Sequence, residues 1–246
     1  MTLKLQHIGC IALLSLGLYS CKKENRWDLL KGTGEVIKEE RTIPPVRYFN
    51  IGKGKINCYF TYDSIFKVEV EAGKKLIGLI KTELNGDTLF MTDENKCNFV
   101  RSYKHEINIY ISSPDVKTIT QYGVGLVKST NTLVGTSLDI ESWGAGDFYL
   151  DVQCNYLRTH THKSTAVYIT GTATTHNTEL WHNSTLFGDD LKTQTTYVYD
   201  NTTGNIYCEA DSQLTASIRL SGNIIYSGNP HVDVIDLGGT GTITKK

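Results

Sequence analysis

Gly144-Ala145-Gly146-Asp147-Phe148-Tyr149-Leu150-Asp151 sets a turn of small residues directly before a run in which apolar and polar side chains alternate. Alternation is the period of a strand with one buried face, so Phe148 and Leu150 are expected to point inward and Tyr149 and Asp151 outward. The same arrangement recurs on both sides. Its turns are Gly123-Val124-Gly125, Gly144-Ala145-Gly146, Lys163-Ser164-Thr165, Asn183-Ser184-Thr185, Thr202-Thr203-Gly204, Leu220-Ser221-Gly222 and Gly239-Thr240-Gly241. Their third residues lie 21, 19, 20, 19, 18 and 19 apart. A period near twenty residues marks a solenoid, in which each coil stacks on the one before. The second and fourth positions after each turn are Val127 and Ser129, Phe148 and Leu150, Val167 and Ile169, Phe187 and Asp189, Ile206 and Cys208, Ile224 and Tyr226. These are the expected inward column. Asp189 breaks it, which calls for either a bulge beside Gly188 or a buried polar group.

Upstream of Tyr122 the signals are of short strands. Lys67–Ala72 and Glu106–Ile111 alternate with period two, and Asn85-Gly86-Asp87 between Leu84 and Leu89 reads as a tight turn joining two strands. Gly73 to Glu83 is ambiguous between helix and strand. The fold expected is all-β: a β-solenoid, single-stranded and right-handed β-helix-like, with repeats of about 20 residues over 121–246. An N-terminal β region over 32–120 is packed on it or continuous with it.

The amino terminus points to export. Lys4 precedes the apolar run Ile8–Leu18, too short to span a bilayer, which takes about 20 apolar residues. Leu18-Tyr19-Ser20-Cys21 looks like a lipoprotein box with Cys21 as the lipid acceptor, giving a signal peptide over 1–20 and a polar tether over 21–31. Lys22 and Lys23 favour the outer membrane, on its cell-surface or periplasmic face. The formal charge of the chain is −1, and removing Lys4 with the leader leaves the body near −2, which does not suit nucleic acid. Cys58, Cys97, Cys154 and Cys208 follow Cys10 and Cys21; an oxidising compartment permits disulfides in three pairings, or the thiols are free and buried. None has zinc-site spacing.

From Gly32-Thr33-Gly34-Glu35-Val36 through Phe49-Asn50-Ile51, the turn series and Ser221–Pro230, the chain resembles the bacterial family of auto-transporter adhesin head GIN domains, common in Bacteroidetes, over about 32–243. It departs from the pattern at Tyr122, Trp143 and Leu220, where small residues are common, and at the turns of Lys163 and Asn183, which lack glycine. The resemblance implies adhesion and brings no catalytic residues.

Equal phase in a solenoid means adjacency in space, which allows a search for sites. Tyr122, Trp143, His162, His182, Asn201 and Arg219 share one phase, so His162 and His182 are expected to be neighbours, with His160 two residues away, as a weak metal candidate. Asp151, Thr170, Asp190 and Glu209 share another, which would set Asp190 beside Glu209 as an acid–base pair of the kind glycosidases use. Tyr122, Trp143, Tyr149, Tyr168, Trp181 and Tyr207 form the expected ligand face for a glycan or protein, unless they are ladders that merely stabilise the sheet. No phosphate loop or hydrolase motif occurs and no cofactor is expected. The leading expectation is a non-catalytic, lipid-anchored binding or adhesion module of the cell envelope. A carbohydrate-active enzyme using Asp190 and Glu209, or a structural envelope protein able to form homo-oligomers, are the alternatives.

Overall fold

The computed structural model describes residues 33–95 and 106–246. Within them the chain is built of strands, apart from a single 3₁₀ turn at Ile77–Leu79. That turn is all that the ambiguous Gly73–Glu83 segment gives to helix; its second half, Ile80–Asn85, is a strand hairpinned onto Thr88–Asp93 through Gly86, whose φ of 60° suits the tight turn.

The solenoid has two long parallel sides. One side runs β2 (Tyr48–Ile51), β8 (Thr118–Gln121), β11 (Ser137–Ser142), the second half of β12 (Phe148–Thr161), then of β13 (Ala166–His182) and β15 (Leu191–Thr202), followed by β17 (Gln213–Ile218) and β19 (His231–Leu237). The other runs β3 (Ile56–Tyr62), β9 (Val127–Ser129), the first halves of β12 and β13, β14 (Thr185–Gly188), β16 (Ile206–Glu209), β18 (Ile224–Ser227) and β20 (Ile243–Lys245). Each coil contributes one strand to each side, and the long strands β12, β13 and β15 bend between the two.

The N-terminal strands continue the solenoid, but not in chain order. β6 (Thr88–Asp93) pairs with β2, and β7 (Ile107–Ser113) with β3, on the side away from β8 and β9. The first coil is therefore enclosed between two later ones, and the chain passes it along 114–117, where Lys117 donates its backbone N–H to Arg47 at 2.8 Å. Antiparallel β4 (Lys67–Gly73) on β7 and β1 (Val36–Arg41) on β4 then cover the edge at this end.

The core is a stack of inward columns. Ile109, Cys58, Val127, Phe148, Val167, Leu186, Ile206, Ile224 and Ile243 lie rung on rung, all hidden from solvent except the partly buried Ile243. Fully burying each such side chain stabilises the fold by about 1.5–3 kcal/mol. The sequence pattern is thus realised everywhere except one coil. There the inward residues are Leu186 and Gly188, not Phe187 and Asp189, because Ser184 rather than Thr185 stands in phase with Thr165. A bulge does follow Gly188: Asp189 and Asp190 occupy the span that Thr170 fills one coil earlier. Cys58, Cys154 and Cys208 are buried free thiols; Cys97 and Cys21 lie outside the described residues. Burial pushes the Cys154 thiol up to about 11 and that of Cys208 up to about 12, so both stay protonated and inert.

At the corner between the two sides the backbones of successive coils nearly touch. A Cβ on Gly144 would lie 1.9 Å from the carbonyl oxygen of Gly123, and one on Gly146 2.1 Å from that of Gly125. Buried polar side chains line the inside of this corner. Gln121 donates to the Gly125 carbonyl at 2.6 Å, Ser142 and Thr165 share a hydrogen bond at 2.7 Å, and Thr202 donates to the Ser184 carbonyl at 2.8 Å. Asp200, with no exposed surface, accepts the Thr202 N–H at 2.8 Å; burial pushes its carboxyl up to about 6. His176, equally hidden, shares a 3.0 Å hydrogen bond with Thr159 and is pushed down to about 4 by burial.

Two outcomes are expected. Gly144→Ala should cost about 2–3 kcal/mol, a fall of roughly 5–10 °C in Tm by calorimetry, whereas Gly78→Ala, whose Cβ would meet nothing within 4 Å, should change it little. The raised Asp200 carboxyl favours the fold while protonated, and that contribution is lost as pH rises through about 6. Asp200→Asn should therefore melt higher than wild type at pH 7.5, with the gap closing as pH falls through 6 towards 3.8; the opposite effect of His176, lost as pH falls from 6.5 towards 4, is common to both proteins and cancels.

Candidate functional site

Three surfaces carry the functional side chains. The first is the rim of the corner. The residues after the buried corner positions form one column, Tyr122, Trp143, His162, Trp181, Asn201 and Arg219, of which Asn201 is buried. His182 is not in it. The same one-residue offset that placed Leu186 inward puts Trp181 against His162 and moves His182 beside Lys163. Lys163 and His182 adopt φ of 63° and 62°, the left-handed backbone that lets a non-glycine residue turn this corner. Trp143 stacks on His162 at 4.1 Å and 16°, and His162 on Trp181 at 5.8 Å and 17°.

Beside this rim lies a polar network. Arg158 donates to Asp139 at 2.6 Å and Glu141 at 3.0 Å, and its third contact is His160 Nδ1 at 3.2 Å. A guanidinium only donates, so Nδ1 accepts and the ring proton sits on Nε2, 4.0 Å from Glu179, which in turn accepts the Trp181 indole N–H at 3.0 Å. Burial, and then the neighbouring His160 and His182, lower the His162 pKa. The free lone pair that a metal needs is thus committed at His160. Its ring lies 4.8 Å from that of His162, which in turn lies 5.9 Å from that of His182. Among the described residues no three His, Cys, Asp or Glu groups are placed to hold a metal.

The second surface starts six residues further along each coil. Tyr149, Tyr168, Phe187 and Tyr207 stack as one ladder, with centroids 4.4, 4.4 and 5.5 Å apart and planes within 9°. Phe187 was expected inside; with its register shifted by one it supplies the missing rung. Tyr59 and Tyr110, stacked at 5.1 Å, extend the aromatic column beyond Lys128, and Lys38 sits 3.9 Å over the Tyr110 ring. The rings cover one another's faces, leaving edges and hydroxyls outward. Such a ladder stabilises the sheet and offers little face for a sugar to stack on.

The third surface is the bend of β12, β13 and β15, where a groove of about 390 Å³ is lined by Gln153, Asn155, Thr172, Thr174 and Gln194, among others. The alternation of these residues was legible, but without the bend there was no reason to single them out. The expected carboxylate pair does not assemble. Gly188 is in register with Cys208, so Asp189, not Asp190, precedes Glu209 in phase, and Asp189 lies 3.8 Å from Lys246. Asp190 is exposed in the bulge. Glu209 accepts from Lys192 at 2.7 Å through both oxygens.

Solved structures share this architecture. A "putative adhesin" of Bacteroides fragilis superposes with a TM-score of 0.78 at 22% identity, covering 86% of this chain and 97% of that one. Two proteins of Parabacteroides distasonis, a "putative lipid binding protein" at 0.66 and 19% and a "putative adhesin" at 0.64 and 14%, each cover 87% of this chain and 98% of their own. At these identities the likeness is one of fold. No functionally curated protein is a match. Residues 52–230, which run from the approach to β3 through β4, β6, β7 and the corner stack to the end of β18, match one family, and the chain therefore belongs to the family "Putative auto-transporter adhesin, head GIN domain".

Proposed function

We propose that this protein is a binding or adhesion module of the bacterial cell envelope, held at the outer membrane by lipid on Cys21 and acting, without catalysis, through an extended side face of the solenoid on a glycan or protein ligand. Membership of an adhesin family supports the class of function. The observation that carries the choice of face is the corner rim, where Trp143 is 38% exposed and stands in a rigid row with His162 and Trp181. Its rings are fixed by stacking and by the Trp181–Glu179 hydrogen bond, so little side-chain entropy remains to be lost on binding. Aromatic groups of this kind dominate binding surfaces elsewhere.

A second reading, a structural protein that associates with itself, is favoured by one observation. Among the described residues β19 and β20 have no strand on their outer side, and Val234, Ile235 and Leu237 of β19 are 46, 58 and 59% exposed. An unpaired edge of this type can pair with a second copy.

Protease shaving of intact cells carrying a C-terminal tag tests the placement. The tag should be lost while a periplasmic control protein survives; protection until the outer membrane is opened would sink the adhesion reading. Cells displaying the Trp143→Ala/Trp181→Ala variant should attach to mucin- or matrix-coated surfaces at least roughly tenfold less than wild type, as expected for removal of interface anchors, while Asp190→Asn should have no effect. Sedimentation over a concentration series discriminates the second reading: an increase in mass that Ile235→Lys abolishes would favour self-association.

A further inference from the structure

The groove across the bend of β12, β13 and β15 has a construction unlike the other two surfaces. One wall is the column Val134, Gln153, Thr172, Lys192, in direct register from coil to coil. The other is Asn155, Thr174 and Gln194, the residues that follow the registered floor of Cys154, Ala173 and Thr193. Floor residues are buried and small, while the wall residues are exposed. Wall side chains repeat along the solenoid axis about every 4.8 Å, and the two walls stand roughly 6.6 Å apart along the strands.

What distinguishes this groove is its free hydrogen-bonding capacity. On the corner rim, Arg158, Asp139, Glu141, His160, Glu179 and Trp181 are linked to one another, with only Asp139 Oδ1 of that network buried without a partner. In the groove, the side chains of Gln153, Asn155, Thr172, Thr174 and Gln194 make no hydrogen bond to any other described residue. Three carboxamides and two hydroxyls, each both donor and acceptor, face one channel across three coils. Its two charged residues are neighbours: the Lys192 ammonium is tied to Glu209 by two 2.7 Å contacts and is further attracted by Asp211 at one end of the lining.

We infer that this groove is a binding site for a neutral, linear glycan lying along the solenoid axis. The inference rests on the binding-module reading above and adds to the rim a second site with its own ligand class. The one cation of the walls, Lys192, is already paired with Glu209, so an acidic polysaccharide finds no unpaired counter-charge there. An extended peptide finds no strand edge to extend, because β12, β13 and β15 are each paired on both sides. A chain of sugar hydroxyls matches paired amides and threonines at every rung, and the volume lies within the roughly 300–1,000 Å³ usual for ligand sites.

The test is titration of the exported body, residues 22–246, with cellohexaose, laminarihexaose, maltohexaose and mannohexaose, and with hexagalacturonate and a Ser/Thr-rich dodecapeptide as comparators. The side-chain amide signals of Gln153, Asn155 and Gln194 are followed by ¹⁵N NMR. A neutral hexasaccharide should shift all three, and Asn155→Ala/Gln194→Ala should weaken it by roughly tenfold per amide removed with an unchanged Tm, since neither side chain holds the fold together. Thr172→Tyr, which fills the channel, should abolish it. Shifts produced only by hexagalacturonate or the peptide overturn the ligand class. Neutral glycan binding that shifts the Trp143 and Trp181 indoles and ignores the groove variants overturns the place and leaves the binding module standing. If no hexasaccharide binds while displaying cells still attach to coated surfaces, the groove inference fails alone; loss of both defeats both.

Discussion

Everything in this molecule depends on the backbone hydrogen bonds that run from one coil to the next. They hold neighbouring coils about 4.8 Å apart, and that single distance is imposed on every other layer of structure. Inward side chains must stack in columns of like with like, from Cys58 through Phe148 to Ile224. Outward rings must stack or be spaced by something that does not clash, as Tyr149, Tyr168, Phe187 and Tyr207 do. Where the coil turns most sharply, the same spacing leaves no room for a Cβ above the Gly123 carbonyl. The glycine turns and the aromatic ladder are two answers to one constraint.

The constraint also explains what could be read from the sequence. Period, strand alternation and corner glycines are all consequences of stacking, and they sufficed for the solenoid, for β4 and β7, and for the Gly86 hairpin. The register failed where the chemistry of the corner changed. Lys163-Ser164 and Asn183-Ser184 lack the glycines that mark the other corners, and two consecutive residues, Ser184 and Thr185, are equally plausible as the third turn residue. Choosing Thr185 turned Phe187 inward, put His182 in place of Trp181 and set Asp190 beside Glu209. One slip of a single residue reverses a whole strand. The non-sequential placement of β6 and β7 outside β2 and β3 has no local signature at all, because it is decided by pairing between segments far apart in the chain.

The candidate surfaces differ in how much of their polarity is spent internally. The Arg158 network spends most of its polar groups on one another, and the stacked tyrosines spend their ring faces on one another. Burial moves Asp200 and His176 in opposite directions, the carboxyl up to about 6 and the imidazole down to about 4, each disfavouring its charged form. The bend groove alone presents a periodic set of amides and hydroxyls with no internal partner among the described residues. Ranking surfaces by unspent hydrogen-bonding capacity, rather than by exposed aromatic area, inverts the order that composition suggests.

The enclosed first coil bears on how the protein is made. A simple solenoid can grow from either end, each coil templated by its neighbour. Here β2 and β3 have both of their neighbours later in the chain, β6 and β7 on one flank and β8 and β9 on the other. A chain that emerges amino terminus first must hold residues 48–62 without either neighbour until residues 88–113 have followed, and with one flank open until residue 129. The wait is a loop-closure cost that slows the first step of assembly, and it makes the N-terminal third the slow, nucleating part of folding and the later coils the fast, propagating part.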